Sequence, residues 1–345
     1  MSNEEKYMSR CIQLAKLGAG NVAPNPMVGA VLVYNDRIIG EGYHKKYGEA
    51  HAEVNCINNV PAEQKSLIEK STMYVSLEPC SHFGKTPPCS NLIIQQKIKK
   101  VVIGCRDIYE EVDGRGIEKL RNAGLEVITG VLEDESRELN KRFFTFHQQK
   151  RPYIILKWAQ SANGKIGSEH GERLFISNEY TNRIVHKWRS EEAGILVGAN
   201  TALKDDPSLT TRLWKGKNPV RIVIDPHLKL PASLKIFTDE SKTIIYNLIK
   251  NSSEKNIEYI QIRPDNLLES LVSSLYESDI QSILVEGGAK TLQSFIDQNL
   301  WDEARVITNG EMIIEEGVNA PAMKNFDLVQ QETYFSDMIS YFKRR

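Results

Sequence analysis

The first half of the chain contains four residues of the types that build a zinc-dependent hydrolytic site. His51 and Glu53 stand at a predicted helix start. Cys80 follows a predicted strand, and Cys89 opens the next predicted helix. A catalytic zinc ion takes His nitrogen and Cys thiolate, and it keeps three protein ligands and one open position for water. His51, Cys80 and Cys89 are therefore the predicted metal ligands.

Glu53 is the predicted catalytic base. Two thiolate ligands cancel the charge of Zn²⁺, so the metal lowers the pKa of its bound water less than in a three-histidine site. Deprotonation of that water then depends more on a nearby base. Residues i and i+2 do not share one face of a helix. His51 can therefore bind the metal while the Glu53 side chain approaches the metal-bound water from a different direction.

The order of these residues matches the zinc-deaminase signature, which is His-x-Glu, then a strand, then Pro-Cys and a second cysteine. One departure is clear, because eight residues separate Cys80 from Cys89 where the signature has two. The intervening residues are predicted to form an enlarged loop at the site. A structural zinc module is the alternative, and it would have no open coordination position and no role for Glu53.

Length and charge limit the other functions that the chain could have. Its 345 residues suffice for about two domains, with 41% hydrophobic and 26% charged residues as in globular proteins. Residues 1–150 contain 20 Lys and Arg against 19 Asp and Glu, and the remainder contains 24 against 26. Neither half is thus predicted to bind nucleic acid, although related zinc deaminases act on flipped bases.

The N-terminus and the cysteine count bear on the compartment. The chain starts with polar and acidic residues and contains no long apolar run, so we expect no export, no membrane partner and a cytoplasmic location. Five cysteines are an odd number, which favours thiols or metal ligands over a disulfide framework.

Hydrophobic periodicity predicts two α/β domains, residues 1–149 and 150–345, with the boundary where a polar helix runs into Arg151-Pro152. A helix over 4–17 precedes a hairpin of strands 28–34 and 37–43. The other elements predicted in the first domain are helices 51–58, 90–96, 116–123 and 133–149, and strands 73–77, 100–105 and 125–129. Those in the second domain are strands 153–158, 194–197, 220–224, 242–246, 259–262 and 282–285, and helices 178–191, 267–276 and 290–299.

Cofactor signals in the second half are weak. The Gly-x-Gly-x-x-Gly fingerprint of dinucleotide-binding folds is absent. A predicted strand runs through Gly287-Gly288 into a predicted helix, and such a turn lets backbone and a helix N-terminus approach a phosphate. A tight connection without any ligand is the alternative.

Several motifs resemble the bifunctional deaminase/reductase family of riboflavin biosynthesis. In the first half they are Asn25-Pro26, Val28-Gly29, Gly42-Tyr43-His44, His51-Ala52-Glu53 and the stretch from Glu78 to Cys89. In the second half they are residues 156–159, 163–166, 198–201, 205–212, 221–225 and 285–288, in the family's order. The resemblance implies an α/β fold, with an N-terminal cytidine-deaminase-like α/β/α domain and a C-terminal dihydrofolate-reductase-like α/β domain. It also implies Zn²⁺ and NADPH as cofactors and a homo-oligomer, either dimer or tetramer.

The resemblance further implies two consecutive reactions on one small phosphorylated pyrimidine. The first is zinc-dependent hydrolytic deamination of 2,5-diamino-6-ribosylamino-4(3H)-pyrimidinone 5′-phosphate to 5-amino-6-(5-phosphoribosylamino)uracil. The second is NADPH-dependent reduction of the ribosyl group to give 5-amino-6-(5-phosphoribitylamino)uracil. In the alternative, the second half is an inactive scaffold, and an assay of NADPH oxidation would distinguish the two.

Matched by motif position, the family pattern implies site residues in both halves. The residues implied to contact substrate in the deaminase half are Asn25, His44, His82 and Lys85. Those implied for substrate in the reductase half are Arg173, Arg189, Leu209, Arg212 and Glu286, and those for the cofactor are Ala159, Phe175, Thr201, Asp205 and Gly288. Because Arg presents a planar fork to phosphate, Arg189 and Arg212 suit a phosphorylated ribose.

The chain departs from the usual family residue at three of its positions. Asn163 stands where the family usually has Asp, Phe175 where Trp is usual, and Arg173 where a small polar residue is usual. The residues after Ile307 also lack a proline-led glycine turn. Lys157 lies on the first predicted strand of this half, where it would either aid proton transfer or pack its stem against the core edge.

Overall fold

The structure, a computed structural model, describes residues 1–83, 87–109, 112–169 and 174–345. The chain divides into two compact units, Met1–Lys150 and Arg151–Arg345. Among the described residues, no helix is long and apolar enough to cross a membrane.

The first unit is built on a sheet of strand order β2-β1-β3-β4-β5. Its elements are α1 (Asn3–Lys16), β1 (Gly29–Tyr34), β2 (Arg37–Tyr43), α2 (Ala52–Asn58), a 3-10 segment (Ala62–Lys70), β3 (Thr72–Leu77), α3 (Cys89–Gln95), β4 (Lys100–Cys105), α4 (Arg115–Asn122), β5 (Glu126–Thr129), α5 (Glu133–Leu139) and α6 (Lys141–Gln149). β1 runs antiparallel to β2 and β3, and β3, β4 and β5 run parallel. The predicted hairpin turn is present, with Asn35 and Asp36 at φ of 47° and 57°, which Asn and Asp tolerate.

Helices cover both faces of this sheet and bury its alternating side chains. On one face α2, α3 and α4 pack onto a cluster that includes Leu32 and Ile103. On the other face α1 and α5 pack onto a cluster that includes Val31 and Val102. Adjacent strand residues thus face opposite cores, as the two-residue period of a strand requires. The result is the α/β/α layering expected for this half.

The prediction of one continuous helix over residues 133–149 is wrong. The chain forms two helices, α5 and α6, which are separated at Asn140. The Asn140 side chain accepts a hydrogen bond from the Met27 N–H at 2.8 Å and donates one to the Met27 carbonyl at 2.9 Å. This pairing with a distant backbone segment replaces helix continuity at that point.

Ten of the strands described in the second unit form one sheet, of order β11-β12-β10-β9-β8-β13-β6-β14-β17-β16. The elements are β6 (Tyr153–Ser161), β7 (Lys165–Ser168), α7 (Glu179–Glu191), β8 (Gly194–Gly198), α8 (Ala199–Asp205), β9 (Val220–Ile224), a 3-10 turn (Lys235–Phe237), β10 (Thr243–Asn247), β11 (Ser252–Glu254), β12 (Ile257–Gln261), α9 (Leu267–Glu277), β13 (Ser282–Val285), α10 (Ala289–Asp297), β14 (Glu303–Asn309), β15 (Gly317–Asn319), β16 (Phe326–Tyr334) and β17 (Asp337–Arg344).

The centre of this sheet is parallel, because β9, β8, β13, β6 and β14 all run in one direction. α9 and α10 cover one face, where Leu271 and Phe295 are fully buried. α7 packs on the other face through Val185 and Trp188. The carboxyl ends of the parallel strands therefore meet along one edge, which is where open α/β sheets bind ligands.

Sequence periodicity did not predict α8 or β14, or the hairpin of β16 and β17. β16 is the edge strand, and its residues from Asp327 to Gln331 are exposed, so it has no apolar face to produce an alternating pattern. Its register comes instead from eight paired positions with β17, where a bulge interrupts it near Val329.

Candidate active sites

The three predicted metal ligands meet at one point in the first unit. His51 Nδ1 lies 3.6 Å from Cys80 Sγ and 3.4 Å from Cys89 Sγ, and all three atoms lie within 4.8 Å of one another. Ligand atoms of a tetrahedral zinc ion, at about 2.3 Å for sulfur and about 2.0 Å for nitrogen, lie about 3.6 Å apart. The spacing and chemistry of these donors therefore fit one zinc ion, with Nδ1 as the ligating atom of His51.

Each of these donors is held by the end of an element. His51 is the N-cap of α2, Cys80 follows β3, and Cys89 opens α3. The Cys89 N–H donates to Cys80 Sγ at 3.3 Å. Hydrogen bonds from Cys89 and His51 lower the pKa of the Cys80 thiol, which favours its thiolate form, the form that binds a metal ion.

Glu53 lies in the first turn of α2 and is buried, with 3% of its surface exposed. Burial raises the pKa of its carboxyl group, and the neighbouring Cys80 raises it further. A carboxyl group in such surroundings exchanges its proton more readily near neutral pH than an exposed one does. Glu53 thus has the placement and the acidity of a group that carries protons beside the metal ligands.

Asn25 and His44 line the same region. The Asn25 amide nitrogen lies 3.2 Å from His44 Nε2, and His44 Nδ1 lies 3.1 Å from the Ala50 carbonyl. An amide nitrogen only donates, so Nε2 accepts and Nδ1 carries the hydrogen. Burial lowers the pKa of His44, in agreement with a neutral ring. The His44 and His51 rings meet edge to face at 5.3 Å, which places the Asn25–His44 pair beside the metal ligands.

His82 lies on the loop after Cys80, and its ring centroid is 6.2 Å from that of Tyr109. Tyr109 in turn contacts His147 of α6 at 5.0 Å. Tyr109 and His147 were missed by sequence reasoning, because they come from remote segments with no motif of their own. Lys85, the fourth residue implied to contact substrate here, lies outside the described residues.

A second cluster lies in the second unit, where Glu286 directly follows β13 and Lys157 lies in the middle of β6. The Arg189 guanidinium donates to Glu286 through Nε at 2.7 Å and through Nη2 at 2.8 Å. Lys157 Nζ lies 3.7 Å from the same carboxylate. Burial alone would raise the pKa of Glu286, but Arg189 and Lys157 outweigh burial and hold the pKa at about 2. Glu286 is therefore buried and ionised at neutral pH.

The turn that carries Leu209 is attached to this cluster. Arg189 Nη1 donates to the Thr210 carbonyl at 3.2 Å, and Leu209 is buried with φ of 55°. Sequence reasoning did not single out His186, a buried residue one helical turn before Arg189. Burial, with Arg189 and Arg212 nearby, lowers the pKa of His186 to about 4, so its ring is neutral.

The glycine pair after β13 forms a backbone cradle in which Gly288 is restricted by a close neighbour and Gly287 by its backbone angle. A Cβ on Gly288 would lie 2.8 Å from Thr201 Oγ1, and Gly287 has φ of 122°, which few other residues adopt. The Gly198 N–H donates to the Gly287 carbonyl at 3.0 Å. Gly288 is also the N-cap of α10, a helix of nine residues, and the first N–H groups of a helix have no partner within it. Backbone surfaces of this kind, a glycine turn at the start of a helix, bind phosphate groups.

The remaining residues implied for the reductase half are more dispersed. Ala159 lies on β6 opposite Ile307, and Asp205 ends α8. Arg212 is exposed, and Phe175 is 76% exposed. Arg173 lies outside the described residues. The structure thus brings Arg189, Glu286 and the 209–210 turn together, with Arg212 close enough to lower the pKa of the neighbouring His186. Separately, it brings Thr201 and Gly288 together.

Comparison with known proteins identifies both units. Residues 1–105 match the family described as the cytidine and deoxycytidylate deaminase zinc-binding region, and residues 152–313 match the RibD C-terminal domain. The chain is 39% identical to the riboflavin biosynthesis protein RibD of Aquifex aeolicus, across 99% of this chain and 98% of that protein. It belongs to the RibD family. RibD of Bacillus amyloliquefaciens is 41% identical across 87% of this chain and 82% of its own length.

Solved structures agree with this assignment. A deaminase/reductase from Thermotoga maritima, 38% identical, superimposes with a TM-score of 0.91 over 99% of both chains. RibD of Acinetobacter baumannii, 29% identical, gives a TM-score of 0.87 over 99% of this chain and 98% of its own. The expected cytidine-deaminase-like and dihydrofolate-reductase-like folds are confirmed. Membership of the RibD family makes the chain a bifunctional deaminase and reductase of riboflavin biosynthesis.

Proposed function

We propose that the first unit hydrolyses the amino group of 2,5-diamino-6-ribosylamino-4(3H)-pyrimidinone 5′-phosphate to give 5-amino-6-(5-phosphoribosylamino)uracil. The observation that carries this proposal is the zinc-compatible spacing of His51, Cys80 and Cys89 beside the buried Glu53. Three protein ligands leave one position open for water, as in catalytic rather than structural zinc sites. The similar Thermotoga maritima protein is a diaminohydroxyphosphoribosylaminopyrimidine deaminase and 5-amino-6-(5-phosphoribosylamino)uracil reductase, which supports the same pair of reactions.

The residues of the chain divide the deamination between them. Bound zinc would supply a Lewis acid that lowers the pKa of water. Glu53 takes a proton from the attacking water and delivers it to a ring nitrogen. A second proton passes through Glu53 to the amino group, which leaves as ammonia while the carbonyl of the product forms. Asn25 and His44 border the same space and offer polar groups to the pyrimidine ring.

Replacement of Glu53 by Gln tests this assignment. We expect Glu53→Gln to keep its zinc and to lose ammonia release, because the amide holds the shape of the side chain but cannot carry the proton. Glu49→Gln is the control, since Glu49 is an exposed carboxylate nearby. A Glu53→Gln protein that releases ammonia at the rate of the unaltered chain would contradict the assignment.

We further propose that the second unit reduces the ribosyl group of the deaminated product with NADPH, giving 5-amino-6-(5-phosphoribitylamino)uracil. The Gly287-Gly288 cradle with Thr201 supports a dinucleotide at the carboxyl edge of the sheet. NADPH supplies the hydride when it is bound, and the protein positions it against the sugar. Arg189, Glu286 and the turn at Leu209 would hold the substrate, and Arg212 would contact its phosphate.

An assay with the purified deaminated intermediate tests the second proposal. We expect loss of NADPH absorbance with one NADPH consumed per ribosyl group reduced. No oxidation of NADPH under conditions where ammonia release is normal would identify the second unit as an inactive scaffold.

A further inference from the structure

Glu78, two residues before the metal-ligand candidate Cys80, is a buried carboxylate that the proposed chemistry does not use. Only 4% of its surface is exposed. Its Oε2 accepts hydrogen bonds from the N–H groups of Asp107 at 3.2 Å and Gly114 at 3.1 Å. Its Oε1 accepts from Gly116 at 2.9 Å and Ile117 at 3.1 Å. One side chain thus satisfies four backbone donors, which belong to the segment after β4 and to the first turn of α4.

The segment from Glu78 to Cys80 is pressed against this first turn of α4. A Cβ on Gly116 would lie 2.0 Å from the Pro79 carbonyl oxygen, so only glycine allows the contact. Pro79 restricts the backbone between the two residues, because its ring fixes φ. A displacement of the Glu78 carboxylate should therefore also displace Cys80.

Cys80 is held from its other side by the start of α3. The Ser90 N–H donates to the Cys80 carbonyl at 3.1 Å, and the Cys89 N–H donates to Cys80 Sγ at 3.3 Å. The position of this thiolate is consequently set by two anchors, the α3 start and the Glu78 carboxylate.

We propose that Glu78 is a positioning residue for the metal ion, which fixes the Cys80 thiolate at ligating distance by binding four N–H groups of the neighbouring turn. The proposal rests on the zinc site of the proposed function. A carboxylate is required because both of its oxygens only accept. An amide of the same shape would turn an NH₂ group toward one of the two pairs of backbone N–H groups. Those two hydrogen bonds would be lost, and the side chain would move away from the turn on that side.

The test measures metal affinity of the full chain, by competition with a chromogenic chelator and without substrate. We expect Glu78→Gln to weaken zinc binding about 10- to 100-fold, as loss of groups that orient metal ligands does. Gly116→Ala should weaken it in the same direction, because the new methyl group would lie 2.0 Å from the Pro79 carbonyl oxygen and 3.1 Å from Glu78 Oε1, so it displaces the same anchor without removing the carboxylate. Glu118→Gln is the matched control, since Glu118 is an exposed carboxylate in the same helical turn, and it should leave affinity unchanged.

A second readout separates positioning from a purely structural role. In the cobalt-substituted protein, the thiolate-to-metal absorption of Glu78→Gln should shift, whereas a variant that is only less stable keeps the spectrum of the unaltered chain. Unchanged affinity and an unchanged spectrum, together with lower thermal stability of the metal-free protein, would overturn the proposal. If Glu78→Gln does not fold, the zinc affinity of Gly116→Ala is the deciding measurement. An affinity equal to that of the unaltered chain would also overturn the proposal. Failure of the unaltered chain to bind zinc would instead refute the proposed function.

Discussion

The buried pair of Arg189 and Glu286 leads to a prediction about acid stability. Burial favours the protonated form of Glu286, yet Arg189 and Lys157 hold its pKa at about 2, below the ordinary 4.5. At about 1.4 kcal/mol per pH unit this difference is worth about 3 kcal/mol of folding free energy. Because the pKa is lower in the folded state, the contribution is complete above pH 4.5 and is lost as the pH falls toward 2.

We expect Arg189→Met to lower the free energy of unfolding by about 3 to 5 kcal/mol at pH 7, the usual cost of leaving one member of a buried ion pair without its partner. Lys157, at 3.7 Å, only partly replaces the lost charge. Without Arg189, burial raises the pKa of Glu286 above 4.5, so the carboxyl group is protonated at pH 4. The deficit at pH 4 should therefore be smaller than at pH 7 by about 1 to 2 kcal/mol.

Urea unfolding monitored by tryptophan fluorescence measures this loss of unfolding free energy for the second unit of the chain. The four tryptophans of the chain, Trp158, Trp188, Trp214 and Trp301, all lie in the second unit. Lys187→Met is the control on the same helix, because Lys187 forms only a partly exposed ion pair with Glu191, and surface ion pairs are worth about 0 to 1 kcal/mol. A deficit for Arg189→Met that matches the control, or that is equal at pH 4 and pH 7, would refute the reasoning.

Three further predictions concern the metal, a loop contact and the cofactor cradle. Removal of zinc by dialysis against a chelator should abolish ammonia release and leave NADPH oxidation with the deaminated intermediate unchanged; parallel loss of both activities would contradict separate sites. Asn163→Asp should destabilise the second unit by about 1 kcal/mol in urea unfolding, because Asp cannot donate to the Ile314 carbonyl as the amide does at 2.8 Å. Gly288→Ala should raise the NADPH dissociation constant about tenfold, since the added Cβ meets Thr201, whereas Gly167→Ala, in open space, should not; equal constants would argue against the cradle.

Local signals predicted much of the fold and of the metal site. Asn35-Asp36 between two apolar stretches predicted the hairpin, because that turn depends only on adjacent residues. The His51, Cys80 and Cys89 pattern predicted three residues that the structure brings together as candidate metal ligands, since each lies at the end of an element that periodicity had located. Periodicity and spacing report interactions between residues close together in the chain, and such interactions were sufficient to predict the hairpin and the three candidate ligands.

Features that depend on remote partners could not be predicted. The break at Asn140 exists because of Met27, which lies 113 residues away in the chain. Arg189 and Glu286 were each assigned to substrate, but their pairing joins residues 97 positions apart and leaves part of the guanidinium already occupied. No local sequence pattern predicts such a contact, because the two residues meet only after the sheet has formed and brought both elements to one edge.

The position of β6 has a consequence for the order in which the chain folds. β6 is the first strand of the second unit, yet its neighbours are β13, from Ser282, and β14, from Glu303. Its residues 154 to 156 are fully buried once the sheet is complete, so during synthesis they remain exposed until the last quarter of the chain has emerged. Pairing over such separations is slow and leaves apolar segments open to aggregation. The reductase unit should therefore be the part of this protein that depends on chaperones, while the deaminase unit, with its local hairpin, folds early.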